Sequence, residues 1–349
     1  MSRLDAALEL VHISSVSHSE AALADHIEKK LAECSHLDVT RIGDNVIART
    51  EFGRSDRLLV AGHLDTVPGE SEKATITGEI LAGVGACDMK GSLSVMLELA
   101  IDPTPRSVDV TWVFYAREEI ARSESGLLEI ANSHPELLQA DAAVLGEPTN
   151  GIVEAGCQGN LRIQIVLSGV RAHTARPFTG RNAIHRLAPL IEKISSYEPR
   201  HVVIDGVQYV EQLQAVLVSG GIAGNVVPNE VSLTINHRFA PDRSAQEATA
   251  WLQTFVGGLL EETDSFSVLD AAPSAAPMLK NTHLERLVGI ANAEPVGKVG
   301  WTDVATFQEL GVPATNFGAG DPLLAHRSDE FVTLSELDVF AERLAAWLA

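Results

Sequence analysis

The chain has 349 residues, 45% of them hydrophobic, enough to bury a core in one large or two ordinary domains. With 47 acidic against 26 basic residues its formal net charge is −21, which excludes nucleic acid and anionic membrane surfaces as expected partners. Three widely spaced cysteines (Cys34, Cys87, Cys157) read as reduced thiols, no run of about 18 apolar residues offers a membrane span, and residues 1–10 lack the apolar core of a secretion signal, so a cytoplasmic location is expected.

Leu4, Leu8 and Val11 mark a short amphipathic helix. Ser17-x-x-Glu20 reads as a capping box for a second, with Leu23, Ile27 and Leu31 on its inner face. Strand-like runs follow at 46–48 and 57–61, then a helical run at 92–100 and buried strands at 108–116 and 142–145. Strands alternating with helices predict an α/β domain with a mostly parallel sheet flanked by helices. Near Gly156-Cys157-Gln158-Gly159 the pattern changes. Residues 161–167 alternate, 182–194 read as helix, 213–218 and 231–239 as strands, and 245–260 as a second helix. That order predicts a separate α+β domain inserted in the first. The α/β pattern resumes near 267, with a strand at 314–317 and a closing helix at 335–347. The expected division is 1–157 with 268–349 for the first domain and 158–267 for the insertion.

Nitrogen and oxygen donors collect at the ends of the expected strands. His63-Leu64-Asp65 follows the apolar run 58–61, and alternation puts His63 and Asp65 on one side. Asp65 could then steady a ligating His63 ring, or the two could form an ordinary His–Asp pair. Asp88 lies in a glycine-flanked loop ahead of a helix, where it serves either as a carboxylate bridging two cations or as an N-cap. Glu118-Glu119 leaves the strand 108–116, as metal ligand and water base or as a solvated acidic loop. Glu147 again follows a strand, and His326 comes late, as a ligand or a structural histidine. The carboxyl edge of an open α/β sheet is where ligands bind. His and carboxylate donors without a cysteine cage suit Zn²⁺ in an open catalytic site, and the supply is enough for two metals, which makes hydrolysis the leading expectation.

His63-x-Asp65, Gly83-x-Gly85-x-x-Asp88-Met89-Lys90, Glu118-Glu119, Gly146-Glu147-Pro148 and His326 occur in the order of the dizinc aminoacylase/carboxypeptidase family, and the chain closely resembles that family over most of its length. The resemblance implies a zinc-peptidase-like catalytic domain and two Zn²⁺ per subunit, with Co²⁺ as a substitute. It gives His63, Asp88 and Glu147 to one metal and Asp88, Glu119 and His326 to the other, with Asp88 bridging. Glu118 becomes the general base, Asp65 the orienter of His63, and the Asp88–Met89 peptide is expected to be cis. The inserted domain becomes a lid that also forms a homodimer. His173, in Gly169-Val-Arg-Ala-His-Thr-Ala-Arg-Pro177, becomes the residue that reaches the partner subunit's site, where it steadies an oxyanion; by itself it reads as a loop histidine. Asn225 and Arg238 match substrate-contacting positions, although Arg238 equally suits an exposed strand face.

The stretches 145–149, 154–162, 300–303 and 316–321 narrow the resemblance to members that remove succinate from N-succinyl-LL-2,6-diaminopimelate, a small anionic N-acyl amino acid. Alternatives are a deacylase of the N-acetylornithine type, a zinc carboxypeptidase, or a non-catalytic small-molecule binder on the same scaffold. Two departures stand out. Cys157-Gln158-Gly159 lacks the basic residue expected before the lid, and Trp301 stands where the family often has a small or hydroxyl residue, before Thr302-Asp303. Arg162, Arg176 or Arg238 could supply the missing charge, and Thr302 remains a substrate-binding candidate.

Overall fold

The computed structural model describes residues 2–349, and it divides into two compact units. The first takes in the chain as far as Gly156, with Pro277–Gly297 and Thr302–Ala349; the second comprises Cys157–Ala276 and Lys298–Trp301.

The first unit is built on an eight-stranded sheet. Across it run Asp38–Ile42, Asn45–Arg49, Asp109–Tyr115, Arg57–His63, Ala142–Leu145, Ala314–Asn316, Glu154–Ala155 and Val296–Gly297. The four central strands, from Asp109–Tyr115 to Ala314–Asn316, are mutually parallel, and an antiparallel hairpin forms one edge. Parallel strands covered on both faces read as unbroken apolar runs. Leu58, Leu59, Val60 and Ala61 are accordingly all fully buried. Leu58 and Val60 pack in one core with Trp112 and Phe114 and with the helices Arg3–Val11, Ala21–Ala32, Gly91–Ile101, Thr282–Ala291 and Leu334–Leu348. Gly62 makes this packing feasible beside the site: a Cβ there would fall 2.6 Å from Met89 Cε and 2.7 Å from Leu93 Cδ2.

One expected local feature is corrected. Ser17 and Glu20 form no capping box, since the helix Ala21–Ala32 has no side-chain cap. Ser17 Oγ donates instead to Asp65 Oδ2 at 2.7 Å, and Glu20 Oε1 accepts the Arg117 amide at 3.1 Å. Both residues face inward toward the loops at the strand ends. The helix Arg3–Val11 does carry a capping box, from Ser2 and Asp5.

The second unit holds a four-stranded antiparallel sheet in the order Gln212–Gly220, Glu230–Phe239, Gly159–Ser168, Ser265–Ala272. The last strand carries this unit past the expected boundary near 267. Strict alternation puts Leu161, Ile163, Ile165 and Leu167 into a core with Leu190, Ile194, Leu252 and Val256 of the helices Ala188–Ser195 and Ala245–Gly257. The helix expected from 182 begins as α-helix only at Ala188, with proline in its first turn, after a 3₁₀ turn at Ile184–Leu187.

Candidate metal centre

Three central parallel strands deliver His63, Glu119 and Glu147 at or just past their carboxyl ends, and Asp88 and His326 come from a turn and a loop. His63 is the last residue of its strand and is 1% exposed. Its Nε2 lies 3.0 Å from Asp88 Oδ1. Asp88 sits in an irregular turn where its own backbone is non-helical, and the peptide to Met89 is cis, as expected. The other oxygen, Asp88 Oδ2, lies 3.5 Å from His326 Nε2. That same nitrogen is 2.9 Å and 2.8 Å from the two oxygens of Glu119. One carboxylate therefore faces two imidazoles with separate oxygens.

Ligand atoms of His63, Asp88 and Glu119 all lie within 4.8 Å of one another, a group that could hold a metal ion. Glu147, 6% exposed, follows the strand Ala142–Leu145. Its main chain is pressed against residue 318, where a Cβ would come within 2.4 Å of the Glu147 carbonyl oxygen, so only glycine fits there.

The charges around these residues call for a cation. Burial works against a charged His63, yet Asp65, Asp88 and Glu147 pull its pKa up. His326 is pushed up to about 10 by its contacts with Asp88 and Glu119. Burial raises the Glu118 carboxyl well above the ordinary glutamate range, and repulsion from Glu147 adds to the rise. Such a crowd of carboxylates is tolerable only with compensating positive charge, and imidazole with carboxylate is a donor set that Zn²⁺ accepts. The residues present fit a metal.

Asp65 faces His63 and makes a second set of contacts as well. The atom nearest His63 Nδ1 is the Asp65 main-chain oxygen, at 3.0 Å, while the carboxylate Oδ1 is at 3.6 Å, too long for a hydrogen bond. The carboxylate also holds the acidic loop. Its Oδ1 accepts the Glu118 amide at 2.9 Å and its Oδ2 the Glu119 amide at 3.0 Å. Burial alone would raise this carboxyl; the neighbouring imidazole and these donors hold it below the usual aspartate range.

Thr302 is 2% exposed, and its hydroxyl donates to Asn316 Oδ1 at 2.8 Å, a bond already made within the first unit. The remaining candidates belong to the second unit. His173 is exposed and pairs with Val226, and the Thr174 amide donates to the Asn225 carbonyl at 3.1 Å, so His173 and Asn225 share one exposed tip. Arg238 lies half-buried on the polar sheet face. Burial lowers its pKa, and Arg162 is among its charged neighbours. Arg162 is exposed, 3.6 Å from Asp270 Oδ2. Arg176 is exposed as well. Gln158, where a basic residue was expected, is 1% exposed and donates to the Val210 carbonyl at 3.0 Å. Trp301 donates to the Pro273 carbonyl at 2.9 Å.

A parallel sheet with imidazoles and carboxylates gathered near its carboxyl edge gives the chain a metal-ligating donor set of the kind that hydrolytic enzymes use. The signature of peptidase family M20/M25/M40 matches residues 59–349, and the chain belongs to that family. It is 44% identical over 344 residues to a protein of Mycobacterium tuberculosis (strain H37Rv) named as a succinyl-diaminopimelate desuccinylase, DapE, covering 97% of this chain and 96% of that one. It is 40% identical over 347 residues to a succinyl-diaminopimelate desuccinylase of Corynebacterium glutamicum, covering 97% and 94%. Its fold matches a tripeptidase from Staphylococcus aureus with a TM-score of 0.80 at 21% identity, over 99% of this chain and 96% of that one.

Proposed function

We propose that the protein is a two-metal amidohydrolase that converts N-succinyl-LL-2,6-diaminopimelate and water to succinate and LL-2,6-diaminopimelate, a step toward lysine and cell-wall precursors. The observation that carries the two-metal reading is the Asp88 carboxylate turned with one oxygen toward His63 and the other toward His326. The named activities of two relatives at 40% identity or more, over nearly the full chain, favour the succinyl substrate.

In this reading His63, Asp88 and Glu147 hold one Zn²⁺ and Asp88, Glu119 and His326 the other, with Co²⁺ as a substitute. Two bound cations supply positive charge that acidifies water and polarises the acyl carbonyl. Glu118 takes the proton from the attacking water and passes it to the departing amine as the C–N bond breaks. Its buried, carboxylate-crowded setting suits a group that must hold a proton between those two transfers.

The lid role of the second unit and the homodimer belong to the same proposal. The strand Gln212–Gly220 lies at a sheet edge with Val216, Leu217 and Val218 exposed, Leu217 at 68%. An open apolar edge of this kind is a natural place for a second copy to pair. His173 accepts the Ala175 amide through Nδ1 at 3.0 Å, which leaves Nε2 as the N–H donor of a neutral ring. In the proposed dimer this donor serves the oxyanion in the other subunit's site. Arg238, with Arg162 near it on the same sheet face, is the proposed partner of the succinyl carboxylate, while Asn225, at the His173 tip, is a separate proposed substrate contact; Gln158 is already spent inside the unit. A cytoplasmic location goes with this biosynthetic role.

The test is a substrate panel on one zinc-loaded preparation: N-succinyl-LL-2,6-diaminopimelate, N-acetylornithine and a set of dipeptides, followed by release of free amine. The succinyl substrate is expected to give the highest kcat/KM. Preference for acetylornithine or for a dipeptide overturns the substrate assignment while leaving the metal centre standing.

A further inference from the structure

We infer that Glu330 is a positioning residue for the metal centre: its buried carboxylate fixes the turn that aims the two oxygens of Asp88. This rests on the two-metal reading above. Glu330 is 1% exposed and belongs to the same short segment as His326. Its Oε1 accepts the Cys87 amide at 2.8 Å and the Asp88 amide at 2.9 Å. Its main-chain oxygen accepts the Gly83 amide at 2.9 Å. Residues 83–88 are thus stapled at three points by one residue. The turn needs such a hold, because Gly85 is left-handed and the backbone at Asp88 and Met89 departs from helical angles.

The arrangement couples two ligands of one cation position. His326 and Glu330 lie four residues apart, so a single segment supplies an imidazole and also orients the carboxylate opposite it. Lys90 is fully buried and its Nζ donates to the Ile13 carbonyl at 2.7 Å; burial lowers its pKa to about 7 against the pull of Glu330 and Asp65. The inward-facing amides of Cys87 and Asp88 need an acceptor, since a buried N–H without one carries its full desolvation cost. An anion makes these hydrogen bonds stronger than a neutral acceptor would. Outer partners of this kind typically change metal affinity by about 10–100-fold.

The test is Co²⁺ titration of metal-stripped parent, Glu330→Gln, Glu330→Ala and Glu330→Asp proteins, read by visible absorption and paired with kcat and KM at saturating metal. Gln keeps the Oε1 acceptor and is expected within about threefold of the parent in affinity, whereas Ala removes it and is expected to bind at least about tenfold more weakly. The Ala spectrum should also change, with kcat falling and KM held. If the Ala protein does not fold, Asp, which keeps the charge but stops one methylene short, is expected to show the same weakening. A folded Ala or Asp protein with parental affinity and spectrum overturns the inference alone. A parent that binds no Co²⁺ overturns the metal reading and the inference with it.

Discussion

Asp65 and Glu118 are joined by a hydrogen bond from the Glu118 amide to Asp65 Oδ1 at 2.9 Å, and the Glu119 amide bonds the other oxygen at 3.0 Å. A carboxylate two residues past the His63 strand end therefore fixes the loop carrying both the proposed base and a proposed ligand. Asp65→Ala leaves two amides without their acceptor, at about 1–3 kcal/mol for each buried group. The variant is expected to unfold at lower temperature and to lose turnover more than substrate affinity. Amide hydrogen exchange locates the effect: the Glu118 and Glu119 amides should exchange faster in the variant, and unchanged exchange there would remove Asp65 from this role.

Glu118→Gln separates proton transfer from metal holding. The amide keeps the size of the side chain but cannot take the water's proton. Turnover is expected to fall by about 10²–10⁴-fold, the usual worth of a positioned acid–base group. Elemental analysis of the same sample should still find two metal ions per chain, because Glu118 is no ligand in the proposed set. Metal loss in step with activity loss would make Glu118 a ligand instead.

His63, Glu119 and Glu147 stood out in the sequence because each follows an apolar run, whereas Asp88 and His326 sit in loops and were singled out only by the order of the family motifs. Leu58-Leu59-Val60-Ala61 ahead of His63, and Ala142-Ala143-Val144-Leu145 ahead of Glu147, announce buried parallel strands, and the carboxyl edge follows from the fold class. What holds the donors was not legible. Ser17 and Glu20 show the spacing of a capping box, yet their partners are Asp65 and Arg117, 48 and 97 residues away. Glu330 reaches back 243 residues to Cys87. Local periodicity carries no trace of such pairs. A charge in an otherwise ordinary loop looks solvated until the fold buries it. The short strands Glu154–Ala155 and Val296–Gly297 escaped for a related reason, since two residues have no period.

The second unit has its own acid-sensitive anchor. Asp264, with its side chain fully buried, accepts both Arg186 nitrogens at 2.7 Å, the Ser168 amide at 2.9 Å and the Glu261 amide at 2.8 Å. Burial pushes its carboxyl up, but these donors prevail and hold it at about 2, against an ordinary 3.8. A folded-state pKa below the unfolded one means that the unfolded chain takes up the proton first as pH falls. The stabilisation, about 2 kcal/mol, is thus complete above the unfolded value and drains away as pH drops toward the folded one. Urea unfolding of Asp264→Asn against the parent should show a gap at neutral pH that closes between about pH 4 and pH 2. A gap independent of pH would mean that packing, not the carboxylate charge, holds these groups together.

The proposed sharing of His173 between subunits can be tested by mixing two inactive proteins. His173→Ala removes the proposed oxyanion donor and is expected to cost about 10²–10³ in rate while leaving the fold intact, because His173 is exposed. Glu118→Ala removes the base. If each subunit's His173 serves the other's site, a heterodimer of the two variants contains one site with both groups and one with neither. Random re-association of equal amounts makes about half the dimers mixed, so about a quarter of parental activity should return. If His173 serves its own subunit, every site in every dimer lacks one group, and mixing restores nothing. Subunit exchange, followed by mass spectrometry of differently tagged chains, keeps a negative result meaningful: exchanged but inactive heterodimers place His173 in its own subunit's chemistry or outside the chemistry altogether.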